Sequence, residues 1–80
     1  MEYKIIKVLN LRRVSAIVLD KEYSNSSKDY YAIIDNVAYS YLEDSAPIRN
    51  GFQILKQDNL LGKTLTFILK EQWHGLIRCL

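Results

Sequence analysis

Apolar residues along this chain fall in short runs that step in twos rather than in helical threes and fours. Glu2 to Leu9 (EYKIIKVL) and Arg12 to Leu19 (RRVSAIVL) are rich in β-branched residues and read as strands. Neither alternates cleanly. In the second, Val14, Ala16 and Val18 share one side while Ile17 and Leu19 share the other, which predicts a strand that is central or covered on both faces. Asn10-Leu11 supplies the short connection between the two. Tyr30 to Leu42 (YYAIIDNVAYSYL) is the sharpest signal: two β-rich runs flank Asp35-Asn36, and both residues tolerate the left-handed backbone of a two-residue hairpin loop. Folding there pairs Ile34 with Val37, Ala32 with Tyr39 and Tyr30 with Tyr41, all on one face.

The second half is less regular. Glu43 to Gly51 (EDSAPIRNG) is turn chemistry, with Asp44 or Ser45 able to cap a helical turn through Pro47 that ends at Asn50-Gly51. Phe52 to Leu61 (FQILKQDNLL) reads as a strand followed by a turn at Asp58-Asn59. The competing reading is a short helix closed by Gly62. Lys63 to Glu71 (KTLTFILKE) is a strand with Leu65, Phe67 and Leu69 on one face. Trp73 to Leu80 (WHGLIRCL) is too apolar to hang free in water and is expected to be a last strand or a short packed helix. Between the first two hairpins, Asp20 to Asp29 (DKEYSNSSKD) is polar and aperiodic, and predicts a mobile surface loop.

The sum is a mainly β fold with at most one or two short helical turns. Five or six strands in one small domain, residues 1–80, suit a small barrel or rolled sheet of SH3-like or OB-like (oligonucleotide-binding-like) architecture. Composition agrees: 80 residues, 49% hydrophobic and 25% charged, describe an ordinary globular domain rather than a disordered chain. The chain starts with no leader-like apolar run and has no stretch of the roughly 20 apolar residues a spanning helix needs. One cysteine, Cys79, excludes an internal disulfide framework and fits a reducing compartment, so a cytoplasmic location and no membrane partner are expected.

The reactive side chains are sparse. His74 and Cys79 stand five positions apart, which on a strand points them to opposite faces. One His and one Cys fall short of the roughly four ligands of a structural zinc site. Asp20-Lys21-Glu22 lacks the spacing and glycine of a calcium loop. Leu61-Gly62-Lys63-Thr64 ends like a phosphate loop, but Gln57 stands where its first glycine belongs. Glu43-Asp44 are sequence neighbours that point apart in an extended chain, a poor acid–base pair. No catalytic residue, cofactor or metal is therefore assigned.

What is left is recognition. The first expectation is a non-enzymatic interaction module that self-associates or binds a protein partner. Its candidate interface residues are Trp73, Leu76, Ile77 and Leu80, whose default use is packing in the chain's own core. The second is a small single-stranded nucleic-acid binder. It would stack bases on Tyr30, Tyr39 and Tyr41 and meet phosphates with Lys4, Lys7, Arg12 and Arg13. The stronger reading of the same tyrosines is that they fill half-buried sheet positions. A net charge of +2, with nine carboxylates interspersed among eleven Lys and Arg, does not by itself favour nucleic acid.

Overall fold

A computed structural model describes residues 2–23, 29–40 and 50–78. Among the described residues, seven strands make one curled, half-barrel sheet: β1 (Glu2–Asn10), β2 (Val14–Leu19), β3 (Tyr30–Ile34), β4 (Val37–Tyr39), β5 (Gly51–Leu55), β6 (Thr64–Leu69) and β7 (Leu76–Arg78). A single 3₁₀ turn, Lys70–Gln72, lies between the last two. The order across the sheet is β5-β2-β1-β6-β3-β4-β7. The mainly β architecture is as the pattern predicts, with one strand more than expected.

The hairpins follow from local chemistry. Asp35 and Asn36 take φ of 52° and 63°, the consecutive left-handed pair of a type I′ turn, whose twist matches that of the flanking strands. The register is the expected one, Ile34 against Val37 and Ala32 against Tyr39. Because Asn tolerates this backbone less well than Gly, Asn36→Gly is expected to raise stability by about 0.5–1 kcal/mol, read as a higher urea midpoint at unchanged slope. The first hairpin turns slightly later than Asn10-Leu11: the Leu11 N–H donates to the Val14 carbonyl (2.9 Å), which leaves Arg12 and Arg13 at the tip.

The curl comes from β1. Its first residues, Glu2 to Lys4, pair with β6, whereas Ile5 to Asn10 pair with β2, and the register slips between Ile5 and Lys7. This bulge bends the strand so that one segment serves both halves of the sheet. Ile5, Ile17, Leu19, Ile54 and Leu65 are buried on the concave side with Ala32, Ile34 and Tyr39, and Leu60 plugs the same core. Ser15 to Leu19 are all buried, in keeping with a strand covered on both faces. The one buried polar residue among those described, Ser15, is satisfied: its hydroxyl accepts from the Gln57 N–H (3.1 Å) and donates to the Asn10 Oδ1 (3.2 Å).

Gly51–Leu55 is a strand rather than part of a helix, and the chain then turns through Asn59 (φ 61°) and Gly62 (φ 82°). The helical turn expected about Pro47 lies outside the described residues. So do residues 24–28 of the expected loop. Its first part, however, is anchored. Asp20 donates its N–H to the Lys4 carbonyl (3.0 Å) and accepts the Lys4 N–H on its carboxylate (3.1 Å). Tyr23 donates its hydroxyl to the Gly51 carbonyl (3.0 Å) and packs its ring against Phe67 and Tyr3. Within the expected loop Asp20 to Asp29, Tyr23 thus uses its aromatic area at the core margin.

Burial raises the Tyr23 phenol above its ordinary value of about 10. The folded state then favours the neutral phenol, so the associated stability is whole below pH 10. It is lost as pH rises past the unfolded value towards the folded one. Urea midpoints should fall between pH 9 and pH 11 more steeply for the native chain than for Tyr23→Phe.

Candidate interaction surface

The last strand is built by the turn that precedes it. The Trp73 N–H donates to the Lys70 carbonyl (3.2 Å) and its indole Nε1–H donates to the Leu76 carbonyl (3.0 Å). The ring lies so close over Gly75 that a β-carbon there would sit 2.5 Å from Cζ2, which explains the glycine. Held this way, β7 runs parallel to β4, with Leu76 beside Val37 and Ile77 beside Ala38.

β7 is an edge strand, and its side chains face water. Leu76 is 74% exposed and Ile77 45% exposed, and the two point to opposite faces of the sheet. The alternative that this tail packs into the chain's own core is overturned for both residues. The reason is topological: β4 already closes the core with Val37 and Tyr39, so a strand added outside it overshoots the apolar interior. Leu80 lies outside the described residues.

Two lysines sit over tyrosine rings, Lys21 over Tyr3 and Lys70 over Tyr31 (both 5.4 Å), but none of the candidate stacking or basic residues is among them. Tyr39 is 3% exposed, on the core side of the sheet, and its hydroxyl donates to Gln57 Oε1 (3.2 Å). That bond ties β4, next to the β7 end of the sheet, to the segment that follows β5 at the other end. A ring so placed is withdrawn from any base-stacking surface. Tyr30 is half-buried opposite Leu69, and Tyr41 lies outside the described residues.

Lys4 and Lys7 are exposed on β1, and Lys4 projects from the face opposite its buried neighbour Tyr3. Arg12 and Arg13 are exposed at the hairpin tip. There the Lys56 N–H donates to the Arg13 carbonyl (3.2 Å), so Lys56 joins the two arginines as a third cation. Strand pairing across forty residues produces that cluster, and no local run of charge announces it. Lys63 is engaged elsewhere, in an exposed ion pair with Asp35.

A second set of residues escaped the pattern. Ile6 (54% exposed), Leu9, Leu11 and Leu61 (67% exposed) are large apolar side chains facing water. The unclean alternation of EYKIIKVL is their trace in the sequence, since a bulge puts Ile6 out of phase with the core. Among the described residues no group of three or more His, Cys, Asp or Glu side chains is placed to hold a metal ion. No helix among them is long and apolar enough to cross a membrane.

Comparison of the chain with protein-family models, curated proteins and solved structures finds no match in any of the three, so the argument for function rests on these surfaces.

Proposed function

We propose that this protein is a non-catalytic interaction module that associates through the β7 edge, in the first place with a second copy of itself. The observation that carries the reading is the pair Leu76 and Ile77, exposed on a strand that ends the sheet order, its outer backbone edge unpaired among the described residues. Edge strands of this kind template pairing with another strand, and small domains gain buried area by association. An antiparallel pairing centred on Ile77 sets that residue opposite its own counterpart, an apolar match that a two-fold axis repeats without conflict.

Size exclusion with light scattering tests this. The native chain is expected to move from monomer towards dimer mass as concentration rises, and Ile77→Lys to remain a monomer. A native chain that stays monomeric up to about millimolar concentration would refute the reading. The nucleic-acid alternative retains the tip cations Arg12, Arg13 and Lys56, but the burial of Tyr39 counts against its stacking platform.

A further inference from the structure

The bulge in β1 also leaves an open stretch of backbone edge inside the strand order, apart from the sheet's two ends at β5 and β7. The Leu11 N–H bonds to Val14, so by the antiparallel alternation the pairs 9–16 and 7–18 are also hydrogen-bonded. Val8 and Asn10 therefore aim their N–H and C=O groups away from β2. On that side β6 pairs with β1 only through Lys4, and the ladder is extended by single bonds at Ile5 to Gly62 and Lys63. Beyond Ile5 a cleft of about 210 Å³ opens between β1 and the following turn, bounded by Val8, Asn10, Gln57, Asn59 and Leu61. Of the large exposed apolar side chains, Leu61 lines the cleft beside Val8, while Leu9 and Leu11 project from the other face of β1.

The charge around the cleft is one-sided. Asn10 leads directly into Leu11-Arg12-Arg13, Gln57 follows Lys56, and Lys7 stands on the same strand. All four cations are exposed, and Asp58 is the one carboxylate within the bounding segments. A second copy is a poor occupant. Antiparallel self-pairing centred on Val8 sets Arg12 of one copy opposite Lys4 of the other, and centring on Asn10 sets Lys7 opposite Arg13.

We infer that the cleft beside Val8 and Asn10 binds an extended peptide segment of another protein in which apolar residues alternate with acidic ones. The peptide adds a strand to β1 through its backbone. Its apolar positions cover Val8 and Leu61 on the cleft face, and its carboxylates, on the alternate face, meet the cations Lys7, Arg12, Arg13 and Lys56.

The test uses a fluorescein-labelled peptide of about eight residues, one strand long, that alternates glutamate with valine. A lysine–valine version and an oligouridylate of equal length are the comparison probes. The glutamate peptide is expected to bind at least about tenfold tighter than the lysine peptide, more weakly as salt rises. It should shift the backbone amide resonances of Val8, Asn10 and Leu61. Two exposed-surface variants, Leu61→Asp and the double Arg12→Glu/Arg13→Glu, should each weaken it by about tenfold while leaving the fold's amide spectrum otherwise intact. Equal binding of the two peptides, absence of binding, or amide shifts confined to β7 would each overturn the inference. So would an oligouridylate that binds through Arg12 and Arg13 while the glutamate peptide does not. None of these results bears on self-association through β7, which is read from light scattering.

Discussion

Tyr39→Ala is expected to destabilise the protein by about 3–5 kcal/mol, the usual range for removing a large aromatic ring from a core. A domain of this size has only about that much stability in total, so the variant should be largely unfolded at room temperature. The argument is geometric. Tyr39 is 3% exposed, stands opposite Ala32 in the β3–β4 ladder, and belongs to the same apolar cluster as Ile5, Ile34 and Leu60. Its hydroxyl adds a bond to Gln57 that links β4 to the segment after β5, far across the strand order. Tyr39→Phe keeps the ring and removes that bond, and should cost about 1 kcal/mol. Urea unfolding followed by circular dichroism separates the two variants. A cost below about 1 kcal/mol for the alanine variant would place the ring at the surface, where a base-stacking role becomes available again.

Leu65→Ala is expected to cost about 2–5 kcal/mol and to lower the melting temperature by about 10 °C or more. Leu65 is fully buried on β6, the strand that holds the two halves of the molecule together. It pairs with Tyr3 on one side, and its strand continues on the other through Thr66 against Ile33. A cavity at that point has no flexible neighbour able to fill it, because both flanking strands are held in register. Leu61→Ala makes the same chemical change four residues earlier, at a side chain that faces water, and should stay within about 0.5 kcal/mol of the native chain. Similar costs at the two leucines would contradict the inside–outside assignment of this whole stretch.

Local rules made the hairpins readable from the amino-acid order. Asp35-Asn36 specified its turn and with it the register of β3 and β4, and the two-sided apolar pattern of Ser15 to Leu19 announced a covered strand. Period two also grouped Tyr30 and Tyr39 on one face, but periodicity states which residues share a side, not which side is the core. That is why Tyr39 could be proposed as a binding residue and yet be buried.

The bulge at Ile5 to Lys7 was hidden because consecutive isoleucines satisfy a strand in either phase. The pairing of β7 with β4 was equally hidden, since a parallel contact across some forty residues leaves no mark in either segment. The candidate interface of Trp73, Leu76 and Ile77 was legible as apolar chemistry. Its edge position, which makes the chemistry available to a partner, belongs to the topology. Lys56 joined Arg12 and Arg13 by the same kind of non-local pairing.

The central claim, that β7 is a strand waiting for another strand, is tested most directly by hydrogen–deuterium exchange at residue resolution over a dilution series. If β7 pairs between copies, the amides of Leu76 to Arg78 gain protection as concentration rises, while those of Leu65 and Ala32 stay equally protected throughout. Exchange at Leu76 to Arg78 that does not change with concentration, in a chain whose mass stays monomeric, would contradict the account.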